Sequence, residues 1–166
     1  MNNKLLPFPP EDFAKQVDIS SPFSGQVVSI TELDDPLLKH GFFGPGAAIA
    51  ATGNSILAPF DGTILKVTPL DYAVEVRSSV GLKCRIKYGG DTQHLHGAQF
   101  SCSLQKGQRF VARNPLFTIN SAWLKQQGVA NICIMTVLNP QKLLGVLPTR
   151  RKYVEASEDP LFSLFV

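Results

Sequence analysis

The sequence predicts an all-β domain: an antiparallel β-sandwich or barrel-sandwich with a duplicated hairpin motif and one or two short helices. Three observations carry this expectation. Short apolar or alternating segments recur along the chain at the spacing of a sandwich. Turn residues separate them, drawn from 13 glycines and 12 prolines. And one pattern, small-Pro-Phe-x-Gly-x-apolar-apolar-x-apolar, occurs twice: as Ser21 to Ile30 and as Ala58 to Val67.

Taken in order, residues 1–17 read as a flexible tail and 18–166 as the folded domain. Pro7, Pro9 and Pro10 preclude a regular helix at the start, although Glu11 to Val17 has room for a turn and a half. Strands are expected at Gln26 to Ile30, Ala47 to Ala51, Gly62 to Val67, Ala73 to Ser78 and Leu82 to Tyr88. Others follow at Gln108 to Ala112, Leu116 to Asn120 and Asn131 to Leu138, and Leu161 to Val166 closes the sheet. Thr52-Gly53-Asn54 and Phe60-Asp61-Gly62 are turn signals between them. In each repeat copy the Pro-Phe turn leads to a glycine that permits positive φ. One helix is expected from Asn120 or Ser121 through Trp123 to a stop at Gly128, because the cap side chain accepts from exposed N–H groups. A second is expected after Asn139-Pro140, with Gly145 as its stop. Pro148 to Val154 reads as a basic loop.

Composition excludes several classes. Charged residues are 17% and apolar residues 44% of the chain, too few charges and too much apolar mass for a disordered protein. No apolar run reaches the ~18 residues of a membrane span, and the start does not read as a signal peptide. Three cysteines without a CxxC spacing point to free thiols, a reducing compartment and a cytoplasmic location. The net charge of +3 conceals a segregation. Residues 1–76 carry net −5, residues 77–113 net +6 and the remainder net +2, and no Asp or Glu occurs from Thr92 to Val154. Such asymmetry suits an anionic ligand or partner, unless folding interleaves the two signs.

The stretch Gly44-Pro45-Gly46 through Thr52-Gly53-Asn54 and Ala58-Pro59-Phe60-Asp61-Gly62-Thr63, continued by Ile86-Lys87-Tyr88-Gly89-Gly90-Asp91-Thr92, carries a resemblance. It resembles the glucose-type enzyme IIA component of the bacterial phosphoenolpyruvate:sugar phosphotransferase system, over roughly residues 18–166. The resemblance implies a compact duplicated β-sandwich. It also implies a phosphocarrier in which one histidine takes a phosphoryl group from HPr and a second binds its oxygens.

Those groups differ here. Lys87 stands at the phospho-acceptor position, Tyr72 at the second-histidine position and Leu70 at the orienting-threonine position. An aromatic near the site is Arg85. Of two acidic residues that meet HPr, one position is Pro45 and the other is kept as Asp91. No catalytic residue is therefore expected. A lysine on an exposed surface, with an ordinary pKa of ~10.4, is a poor nucleophile. Arg85 and Lys87 share a strand face, and with the Tyr72 hydroxyl opposite they form a donor cluster suited to a small anion. Drift to solvated basic residues is the competing reading. The expected function is a non-phosphorylatable regulatory or binding module, with an HPr-like carrier, a permease or a regulator as partner.

The histidines offer two alternatives. His94 and His96 form a His-Leu-His pair that on a strand would share one face. They are candidates for a displaced phosphocarrier site, or weak candidates for the metal site of a lysostaphin-like zinc hydrolase. That hydrolase needs an upstream His-x-x-x-Asp, and His40 is followed by Gly44 instead. No metal, cofactor or nucleic-acid partner is expected. Lys4 and Lys15 are offset by Glu11 and Asp12, so membrane contact is weak at most.

Overall fold

The computed structural model describes residues 4–166. The strands are β1 (Gln16–Ser20), β2 (Gly25–Val28), β3 (Gly46–Ala50), β4 (Ser55–Leu57), β5 (Gly62–Thr68), β6 (Ala73–Ser78) and β7 (Lys83–Tyr88). They continue as β8 (Arg109–Phe110), β9 (Pro115–Thr118), β10 (Ile132–Val137), β11 (Gly145–Pro148), β12 (Tyr153–Val154) and β13 (Pro160–Phe165). Two short helices, α1 (Pro36–Lys39) and α2 (Ser121–Gln126), and a few 3₁₀ turns complete the chain. The strands form an eight-stranded sheet in the order β12-β2-β3-β10-β7-β6-β5-β8, a three-stranded sheet β1-β13-β11 and a pair β4-β9. Every strand pairing is antiparallel. This is the expected all-β sandwich.

The main core lies on one face of the large sheet. Ile49, Val74, Val76, Ile86, Tyr88, Cys133 and Met135 point into it and meet Phe117, Leu161, Phe162 and Leu164. Period-two alternation drives this, since apolar side chains gain about 1.5–3 kcal/mol each on full burial. The opposite face of the same sheet is divided. Over β3 and β10 it is apolar, and Ala48, Ile132 and Ile134 are covered by Ile30, Leu38 and Phe43 from the segment that includes α1. Asp35 caps α1 by accepting from the N–H groups of Leu37 and Leu38. Over β7, β6, β5 and β8 the same face is polar.

Both repeat copies enter the large sheet, as β2 and β5, each one strand in from an edge. Their glycines are needed for a reason other than the expected one. Neither Gly25 nor Gly62 has positive φ. A Cβ on Gly25 would strike Ala51, and one on Gly62 would strike the backbone carbonyl of Arg77. Close strand approach, and not turn handedness, fixes glycine there.

The helix from Ser121 forms as expected: Asn120 Oδ1 accepts from Trp123 N–H at 3.0 Å, and Gly128 follows at φ 81°. The second expected helix shrinks to a single 3₁₀ turn, Pro140–Lys142. Asn139 does not cap it. Its side chain instead accepts from Lys83 N–H and donates to the Gly81 carbonyl, closing the β6–β7 hairpin. No helical turn forms over Glu11 to Val17. The boundary expected at residue 17 falls inside β1, and Leu6 N–H donates to Val146 O at 2.8 Å. Strands β1, β4, β11 and β12 lie outside the expected set; β11 ends at Pro148 and β12 begins at Tyr153, so they bound the expected basic loop on either side and shorten it. No helix among the described residues is long and apolar enough to cross a membrane.

Candidate functional site

Strand β7 builds the site. Cys84, Ile86 and Tyr88 enter the main core, so Lys83, Arg85 and Lys87 face the other way. Across the sheet Lys87 stands between Ala73 of β6 and Ile134 of β10. Ala73 and Ile134 are both buried, so the ladder gives Lys87 apolar neighbours on both sides.

Lys87 is only 7% exposed, which corrects the expectation of a solvated lysine. Its Nζ donates to the Asp71 carbonyl at 2.6 Å and to Thr92 Oγ1 at 3.3 Å. Thr92 in turn donates to the Leu70 carbonyl at 2.9 Å. The ammonium therefore ties the 3₁₀ turn Pro69–Asp71 to the loop that follows β7. Burial, joined by the nearby Arg85 charge, lowers its pKa to about 8. Asp71, Asp35 and Asp91 oppose that shift. Leu70 contributes its backbone carbonyl alone; its side chain is exposed.

Arg85 lies one step along the same face. Its guanidinium carbon sits 4.0 Å from the Phe43 ring centroid, and Nη2 is 3.9 Å from Asp71 Oδ2. Cross-strand Glu75 stands directly opposite. Burial lowers the Arg85 pKa, against the raising effect of Asp71, Glu75 and Asp35. Its positive charge is thus matched from several sides.

Tyr72 adopts the left-handed region at φ 51° and is fully buried. Its ring meets Phe100 edge-on at 5.7 Å and its hydroxyl donates to the Ala98 carbonyl. Burial raises its pKa. The three groups expected to converge on an anion thus divide. Arg85 and Lys87 share a face, while the Tyr72 hydroxyl is committed to Ala98. Asp91 is exposed in the loop beyond Gly89 and Gly90.

His94 and His96 do not lie on a strand. His94 is in the 3₁₀ turn Gln93–Leu95 and His96 follows it at φ 55°, both exposed. The chain reverses here, so the rings lose the shared strand face that a metal pair would need. Among the described residues no three His, Cys, Asp or Glu side chains group as a metal site.

Sequence reasoning did not find Thr92, the Asp71 carbonyl or Phe43. Thr92 lies inside the quoted Gly-x-Asp-Thr element, so a signal was present. The other two depend on long-range packing.

Residues 17–143 match the family described as the phosphoenolpyruvate-dependent sugar phosphotransferase system, EIIA 1. The chain is 34% identical over 126 residues to the PTS system glucose-specific EIIBCA component of Corynebacterium glutamicum, covering 76% of this chain and 19% of that protein. It is 32% identical over 129 residues to the raffinose carrier protein of Pediococcus pentosaceus, covering 78% and 20%. The chain therefore spans about a fifth of the length of these relatives. The fold is similar to that of glucose permease IIA from Mycoplasma capricolum, with a TM-score of 0.73 and 21% identity over 90% of this chain and 96% of that one. On the family match and the identity to the glucose-specific relative, this chain belongs to the EIIA 1 family of the phosphoenolpyruvate-dependent sugar phosphotransferase system.

Proposed function

We propose that this chain is an enzyme IIA-like component of a sugar phosphotransferase system that binds or regulates other components and carries no phosphoryl group itself. The observation that carries the reading is the state of Lys87. To accept a phosphoryl group, an amine or imidazole must present a free nitrogen lone pair to the incoming phosphorus. The Lys87 amine is instead buried and spends two of its N–H groups on Asp71 O and Thr92 Oγ1. With its pKa at about 8 it is mostly protonated at neutral pH. The group that the resemblance aligns with the acceptor acts here as a structural strut. Membership of the family supports phosphotransferase-system proteins as partners, namely an HPr-like carrier, a permease or a regulator, and supports a cytoplasmic setting. The names of the relatives support a sugar-transport context.

The test is incubation with phosphoenolpyruvate, enzyme I and HPr, followed by phosphate analysis under conditions that keep phosphohistidine and phospholysine intact. No label on this chain is the expected result. Label on Lys87 overturns the reading. So does label that His94→Ala with His96→Ala removes.

A further inference from the structure

The excess charge of residues 77–113 is concentrated by strand register. Lys83 on β7 pairs with Arg77 on β6, Arg77 pairs with Thr63 on β5, and Thr63 pairs with Arg109 on β8. Directly paired residues in a ladder project from the same face, so the three cations form one row over four strands. The adjacent row is different: Lys66, Glu75 and Arg85 alternate in sign and offset each other. The Lys83–Arg77 row contains no acid. Among the described residues none of its cations makes an ion pair or a side-chain hydrogen bond. Like charges directly opposite on a ladder destabilise it. The fold bears that cost with no internal partner.

The row also borders a groove of about 750 Å³, within the size range of small-molecule sites. Arg77 and Arg109 flank Thr63 in it. With strands ~4.8 Å apart their Cα atoms stand roughly 10 Å from each other, close enough for both guanidiniums to reach one tetrahedral anion over Thr63. The rest of the lining has another chemistry. Asn114 and Ser79 offer an unpaired amide and hydroxyl. Asp61 keeps its loop in place by accepting from Ala112 N–H at 2.8 Å, and its other oxygen is available. A carboxylate repels a bare phosphate but accepts well from hydroxyl groups.

We propose that this groove binds a phosphomonoester of a small polyhydroxylated molecule. Arg77 and Arg109 take the phosphate, while Asp61 and Asn114 take hydroxyls. The proposal does not depend on the fate of Lys87, which faces a different part of the sheet.

The experiment is titration of the full chain with glucose 6-phosphate, glucose and inorganic phosphate, read by calorimetry and by backbone amide shifts. Glucose 6-phosphate is expected to bind at least tenfold more tightly than either fragment, with shifts at Thr63, Arg77 and Phe110. Each charged hydrogen bond is worth enough that Arg77→Gln and Arg109→Gln each weaken binding about tenfold or more. Lys125→Gln, the same charge loss on α2, is expected to leave Kd unchanged. Both arginines are exposed, and thermal melts confirm that the variants fold. Equal affinity for inorganic phosphate and glucose 6-phosphate overturns the proposal, since no hydroxyl subsite then exists. Absence of binding at millimolar ligand, or Gln variants that bind as the parent does, overturns it as well.

Discussion

At neutral pH Lys87 is an ammonium held at 7% exposure, and the fold carries the cost of that charge. The cost makes stability depend on pH in a calculable way. The folded pKa is about 8, against an ordinary 10.5. Below pH 8 both folded and unfolded chains hold the proton, so the penalty is constant. Between the two values the unfolded chain holds a proton that the folded chain has lost. Stability therefore rises with pH across that window. Integrating the proton difference from pH 7 to about pH 9.5 gives a gain of about 2 kcal/mol from this residue alone. Lys87→Met keeps the length and most of the volume of the side chain but removes the titration. Urea unfolding followed by the fluorescence of the single tryptophan, Trp123, measures both proteins at each pH. The expected result is a difference that shifts by about 2 kcal/mol in favour of the parent as pH rises. Other titrating groups, including the buried tyrosines, are common to both proteins and cancel. Two parallel curves would refute the reasoning, because Lys87 would then bear no desolvation cost.

Gly62→Ala directs a Cβ into the Arg77 carbonyl, a backbone atom that cannot swing aside. Overpacking of this kind costs about 1–3 kcal/mol, measurable by urea unfolding. Asn139→Ala removes both side-chain bonds that close the β6–β7 hairpin and leaves Lys83 N–H and Gly81 O without them. A loss of about 1–3 kcal/mol is expected, with faster amide exchange at Lys83 as the local signature. Cys84 and Cys133 are buried and their thiol pKa values are pushed up by that burial. Iodoacetamide should leave both unmodified in the folded chain at pH 8 and alkylate them in urea, as peptide mass analysis can show.

The strands that were legible are those with clear apolar alternation, such as β6 and β7, where one face meets a core and the other does not. The missed strands are short or unfavourably placed. β4 and β12 are held by pairing with distant partners, which no local pattern reports. β1 lies beside a proline-rich stretch that masked its Val17 and Ile19 alternation. The Asn139-Pro140 signal had the right residues for a cap, but a tertiary contact took the side chain. His94 and His96 looked paired only under an assumption of strand geometry.

The sequence by itself determined the family, the duplicated Pro-Phe-x-Gly unit, the Asn120-capped helix and the position of Lys87 and Arg85 on one strand face. These follow from local spacing, which the sequence carries directly. Tertiary structure decided whether that face is wet or dry. It buried Lys87 between Ala73 and Ile134, turned the Tyr72 hydroxyl to Ala98 and laid Phe43 over Arg85. It also aligned Lys83, Arg77 and Arg109 in one row. Their registry depends on which strands pair and by how many residues, and that is set by closing a core between segments far apart in the chain.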